Sequence, residues 1–304
     1  MIQKSNLFPI PMKPIIYSLL SAVALLTACQ SSKQTSSATS SLDSLEQALA
    51  QATDPLRRID LKRRIVDLTI EGATPEERCR IFDEFSTLVA QEANKLNERE
   101  SDYLGRYYEY HLDEEGNIIE PHDSIKQKEQ SYLQGGLQVE DLGEGLVTFA
   151  PTPTLFASYL SQLPPYYQRY WQLLEDSENY APDACLRLSW RELGDLLTRY
   201  EAYAESYPEQ TELLGRLGES YQFLQMAYLA GVDNTPIADD SGALDLELRN
   251  EWKRFSEAYP DSPTTKLIAE MLKQKDYRDV PILIGVVFKA QQESSYPLHV
   301  APQD

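Results

Sequence analysis

Three histidines, His111, His122 and His299, and three cysteines, Cys29, Cys79 and Cys185, are the chain's scarce chemical groups, set against 48 acidic residues. A Ser-His-Asp nucleophile needs a histidine near a strained serine turn. No Gly-x-Ser-x-Gly elbow is present. No His-Glu-x-x-His or Cys-x-x-Cys spacing points to zinc, and His111 with His122-Asp123 forms a ligand set only if the chain folds back between them. Asp233-Asn234 with Asp239-Asp240-Ser241-Gly242 has calcium-binding residue types but misses the regular loop spacing, so it reads as a helix-to-helix connection. With this many acids, carboxylate pairs suited to glycoside hydrolysis arise at almost any spacing. The inventory leans away from an enzyme and implies neither cofactor nor metal.

The elements that would position these groups are mostly helical. Thr74-Pro75-Glu76-Glu77 combines a capping hydroxyl, proline in the first turn and acids near the positive helix end. It is followed by Phe82, Phe85, Val89, Ala93, Leu96, Tyr103 and Tyr107 at helical spacing. Further stripes run through Leu193, Leu196, Leu197, Tyr200, Tyr203 and Tyr207; through Leu214, Leu217, Tyr221, Leu224 and Tyr228; and through Leu248, Trp252, Phe255 and Tyr259. Short Pro- or Gly-containing loops separate them. The expected architecture is mainly α, packed antiparallel helical hairpins, repeat-like in places, with a small antiparallel β insert around 106–150.

Two hairpins are expected in that insert. Tyr107–Leu112 alternates, Asp113–Asn117 is turn chemistry and Ile118-Ile119 extends away from it; Leu137–Leu142 and Leu146–Phe149 flank Gly143-Glu144-Gly145. Two loops between fraying helices are the alternative. Val280–Phe288 is apolar and β-branched and fits either a strand or a short buried helix.

At the N-terminus, Lys4 and Lys13 precede a 12-residue apolar run, Ile15–Leu26, against about 20 residues needed to span a bilayer. Leu26-Thr27-Ala28-Cys29 then resembles the acceptor site of bacterial lipoprotein signal peptides. That resemblance implies cleavage after residue 28, a lipid on Cys29 and, with Gln30 next, release to the outer membrane, facing the periplasm or the surface. Translation could start at Met1 or Met12, and an ordinary cleaved signal is the alternative. The expected division is a signal peptide (1–28), a lipidated Ser/Thr-rich tether (29–41) too poor in apolar residues to fold, and a mainly helical domain (42–304). Without residues 1–28 the net charge is near −22, which repels nucleic acid and anionic head groups and leaves attachment to the lipid chains.

Cys79 and Cys185 then remain, and the envelope permits disulfides, so they could pair or stay as separate thiols. Arg57, Arg58, Lys62, Arg63 and Arg64 project around a helix rather than along one side, which favours salt bridges to the acidic body over docking on anionic lipid or glycan. Tyrosine is abundant, 19 against 8 phenylalanines. Tyr159, Tyr166, Tyr167, Tyr170 and Trp171 crowd one segment and would suit a partner or glycan surface, or else a core with wet edges.

Tyr203-Ala204-Glu205-Ser206-Tyr207-Pro208-Glu209 recurs as Phe255-Ser256-Glu257-Ala258-Tyr259-Pro260-Asp261. With Trp190-x-x-Leu193-Gly194, Leu217-Gly218-x-x-Tyr221 and Ala230, residues 190–273 are similar to tetratricopeptide-type lipoproteins of outer-membrane assembly machinery. The Leu-Gly pairs lie 24 residues apart and the Tyr-Pro pairs 52, whereas that repeat is about 34. The combined expectation is a lipid-anchored envelope protein that binds or scaffolds a protein or glycan. A cell-wall or glycan hydrolase using paired carboxylates is the alternative.

Overall fold

The computed structural model describes residues 35–300 apart from Glu144 and Asn179, with side chains from Ser41 onward. The expected signal peptide, Cys29 and the start of the expected tether lie outside the described residues. Among the described residues there are thirteen α-helices and one two-stranded sheet, and no helix is long and apolar enough to cross a membrane.

Helix α1 (Thr35–Gln51) begins inside the stretch expected to be tether. It packs on α2 (Pro55–Thr69), which Asp54 caps by accepting the Arg57 N–H at 2.9 Å. Thr74 and Glu77 form the capping box that starts α3 (Pro75–Arg99). Phe82, Phe85, Val89, Ala93 and Leu96 are buried as their spacing requires. The basic cluster is largely neutralised within the fold: Arg57 and Arg63 pair with Asp60, Arg58 with Glu92, and Lys62 with Glu84.

The first expected hairpin is corrected. After α4 (Ser101–Gly105), Tyr107–His111 forms the short helix α5, and only an isolated Leu112–Ile118 bridge remains of the strands. The turn itself forms, with Asp113 accepting the N–H groups of Glu115 and Asn117. Aromatic packing overrides the alternation: Tyr107 and Tyr110 lie 6.1 and 5.9 Å from the Tyr103 ring, at helical spacing, and Tyr103 is buried against Tyr132 and Phe149. The second hairpin is present. After α6 (Asp123–Gln134), β1 (Leu137–Gly143) pairs antiparallel with β2 (Leu146–Pro151), and β2 lies on α3. Leu137 and Phe149 fill the core from these strands.

Helices α7 (Pro153–Leu160) and α8 (Pro165–Ser177) follow, then a 3-10 turn at Pro182–Ala184. The rest is helical: α9 (Trp190–Ser206), α10 (Thr211–Ala230), α11 (Leu246–Ala258), α12 (Pro263–Met271) and α13 (Val280–Gln292). The segment open to strand or helix is thus α13, with Asp279 accepting the Ile282 N–H and Pro281 in the first turn. Helix α10 is the axis of this part, touching α8, α9, α12 and α13.

Candidate functional site in the helical hairpins

The repeated Tyr-Pro segments occupy matching positions. Helices α9 and α11 both stop at the tyrosine, with backbone angles of −135° and 55° at Tyr207 and −130° and 64° at Tyr259. Each closing ring packs on the aromatic one turn earlier, Tyr203–Tyr207 at 5.2 Å and Phe255–Tyr259 at 5.1 Å, both at 53°. Proline follows because it cannot continue a helix. α9–α10 and α11–α12 are therefore two similar hairpins, with Tyr200 and Trp252 fully buried at equivalent points.

The first helix of each hairpin carries a buried carboxylate, enclosed partly by the other hairpin. Glu201 is 6% exposed, and its Oε1 accepts from Tyr221 Oη (2.7 Å), Thr264 Oγ1 (2.8 Å) and Ser262 Oγ (2.9 Å). Burial pushes its carboxyl above the usual range, and the hydroxyls pull it back down. Gln225 extends the network, donating to Tyr221 Oη and Thr264 Oγ1, both at 2.8 Å. Its carbonyl accepts from Gln291 Nε2 at 3.1 Å and from His299 Nε2 at 2.8 Å. The His299 proton therefore sits on Nε2, and burial drives its pKa down to about 4.

Glu251, 7% exposed, is enclosed differently. Arg254 Nε and Nη2 donate to its two oxygens at 2.7 and 2.6 Å, Tyr228 Oη donates at 3.2 Å, and Arg254 also reaches Asp195. Gly194 lets α11 approach, since a Cβ there would lie 3.0 Å from Glu251 Oε1 and 3.2 Å from Phe255. A Cβ at Gly218 would lie 2.6 Å from Val300. The two Leu-Gly pairs are thus points where a neighbouring segment presses onto a helix.

Sequence reasoning passed over these carboxylates among 48 acids. A usable signal exists: Glu201 interrupts the stripe between Leu197 and Ala204, and Glu251 interrupts the one between Leu248 and Phe255. An acid on an apolar face must find buried partners.

The tyrosine-rich segment is not an open surface. Tyr159, Tyr167 and Tyr170 are buried, and Tyr166 and Trp171 are half-buried. Phe82 meets Tyr167 and Trp171 edge-on at 5.9 and 4.9 Å, and Phe85 meets Tyr159 at 5.6 Å. Their polar tips find partners at the rim: Tyr159 donates to Asp67, Tyr167 to Asp83 and Trp171 to Glu175. The aromatic spacing was core spacing, and the hydroxyls are satisfied without leaving it.

Of the two arrangements left open for the remaining cysteines, the structure has separate thiols. Cys79 and Cys185 are free, the first buried beside Tyr166 Oη at 3.7 Å and the second exposed beside Thr235. Burial raises the Cys79 thiol above its ordinary pKa, opposite to an activated nucleophile. The histidines stay apart as well: His111 bonds Tyr107 O and Glu129, whereas His122 bonds Ser124. Asp239 Oδ1 is taken up by Ser241 and Ala243 of its own loop. Among the described residues no group of three or more His, Cys, Asp or Glu side chains is arranged to hold a metal ion.

The last helix leaves apolar side chains in water. Ile282, Ile284 and Phe288 of α13 are 56%, 42% and 48% exposed, while Leu283 and Val287 are fully buried on its other side. Compared with known proteins, the chain matches no family model, no curated protein and no solved structure.

Proposed function

We propose that this chain is a lipid-anchored protein of the bacterial outer membrane that binds a second envelope protein and performs no chemistry of its own. Leu26-Thr27-Ala28-Cys29 supports the anchoring, with Cys29 as the lipidated residue. The observation that carries the binding role is the outer side of α13, where Ile284 and Phe288 lie one turn apart and exposed. An acidic chain with mean hydropathy of −0.45 has little reason to keep two large apolar residues adjacent in water unless something covers them.

A protein is favoured over a glycan because three of the five rings that would stack on sugar are buried and Tyr166 and Trp171 are half-buried. The hydrolase alternative has no comparable support. Glu201 is surrounded by hydroxyls, Glu251 is held by Arg254, and Glu92 by Arg58 and Lys95, so each buried carboxylate is already engaged within the fold.

A photo-crosslinking residue placed at Phe288 of the full chain in living cells tests the reading, with the exposed Glu98 on α3 as control. A discrete protein adduct at position 288 and none at 98 is expected. The same products at both positions, or none at 288, would sink the binding role. Loss of labelled fatty acid incorporation in Cys29→Ser tests the anchor separately.

A further inference from the structure

Beyond α13 the chain turns back and lays a short strap, residues 295–300, along α10. The turn is fixed by Tyr296 N–H to Ser294 Oγ at 3.1 Å and His299 N–H to Tyr296 O at 2.8 Å. Leu298 is completely buried. Three positions of α10, each three or four residues from the next, receive the strap: Gly218 under Val300, Gln222 donating to Val300 O at 3.2 Å, and Gln225 accepting from His299. Tyr221 supplies a ring 5.7 Å from His299 and 5.9 Å from Tyr296.

This is groove chemistry rather than core chemistry. Side-chain amides bond a passing backbone or side chain, and a glycine admits close approach. The strap also fits imperfectly. Of five buried side-chain polar atoms without a partner among the described residues, two belong to it, Tyr296 Oη and His299 Nδ1. Six residues thus hold two of the five, the other three being spread over α3, α6 and α9.

We infer that residues 295–300 are a built-in occupant of a peptide groove on α10, displaced when a partner presents an extended segment of the same chemistry. That segment would place an aliphatic side chain in the Leu298 site, a hydrogen-bond donor at Gln225 and a backbone carbonyl at Gln222. It would be neutral or basic, because the charges of Glu201 and Glu205 reach this side of the groove at Tyr296. Until it arrives, the strap competes at the high effective concentration of a tethered ligand.

The inference rests on the binding role proposed above, but it can fail separately. A labelled peptide copying residues 293–304 is titrated against the full chain and against full-length Leu298→Asp, whose own strap cannot seat. At least tenfold tighter binding to Leu298→Asp is expected, and adding Gly218→Val should abolish it. Equal binding to both, or none to a folded Leu298→Asp, would overturn the groove.

A gentler variant covers the case in which Leu298→Asp does not fold. In Leu298→Cys combined with Cys185→Ser, maleimide should reach position 298 at least ten times faster than the buried Cys79. Equal rates would mean that the strap leaves only when the whole domain unfolds, and the inference would fall. A crosslink at Phe288 with no peptide exchange would preserve the scaffold and remove the groove; the reverse would preserve the groove alone.

Discussion

The two hairpins, α9–α10 and α11–α12, end in the same way yet shelter their carboxylates by different means. In the first, three hydroxyls converge on Glu201, with no ion pair to it among the described residues. In the second, Arg254 binds Glu251 through both oxygens. Hydroxyls share the cost of desolvation in small steps, each replaceable by its neighbours, whereas an ion pair concentrates it in one contact. The first arrangement keeps the interior polar but uncharged by cations, and it is there that α10 receives the strap. The second acts as a clamp between α9 and α11.

Removing the shared feature should have the largest effect. Trp252→Ala leaves a cavity at a fully buried site and is expected to cost about 4 kcal/mol in urea unfolding, with Tyr200→Ala losing a comparable amount in the other hairpin. A loss under about 1 kcal/mol at Trp252 would show that the second hairpin does not form as described. Next is the contrast between the carboxylates. Arg254→Ala strands Glu251 and should cost about 2–3 kcal/mol, whereas Tyr221→Phe leaves Glu201 two hydroxyls and should cost about 1 kcal/mol. Equal costs would break the distinction drawn here.

A smaller effect depends on pH. Burial holds His299 neutral down to about 4, while the unfolded imidazole takes up a proton near 6.5. The unfolded chain therefore binds more protons in that window, and the stability present above it is lost as the pH falls through it. Glu201, whose carboxyl is raised by burial, opposes this because its protonation relieves desolvation. The groups around His299 are otherwise Tyr221, Tyr296 and the amide of Gln225. His299→Gln keeps a donor for Gln225 and should flatten the dependence of Tm on pH between 6.5 and 4. An unchanged slope would assign that acid sensitivity to other groups.

The least perturbing measurement concerns the thiols. In the native protein a thiol reagent should modify Cys185 promptly and Cys79 only on unfolding. Protection of both, reversed by reductant, would restore the disulfide that the separate environments of the two cysteines argue against.

Much of the architecture was legible in the sequence. The cap at Thr74, the stripe from Phe82 to Leu96 and the β1–β2 hairpin around Gly143 and Gly145 each rest on residues close together in the chain. Local signals read well where backbone geometry is set by near neighbours. Tyr107–His111 read badly because its alternation was incidental and the outcome followed Tyr103, whose ring is held in the core by the remote Tyr132 and Phe149. The tyrosine-rich segment left two readings open for a related reason. An aromatic with a polar tip looks the same at a partner surface and in a core whose rim offers Asp67 or Asp83.

The sequence by itself determined the helical periodicity, the matching Tyr-Pro endings, the acidic charge and the run Leu26-Thr27-Ala28-Cys29 on which the anchoring proposal rests, because these depend on residue identity and short spacing. Only the tertiary structure decided which acids among the described residues are buried, Glu92, Glu201 and Glu251, that the Leu-Gly pairs are contact points, and that His299 returns to Gln225 across 74 positions. Each depends on distances between segments remote in the chain, and no local pattern specifies those.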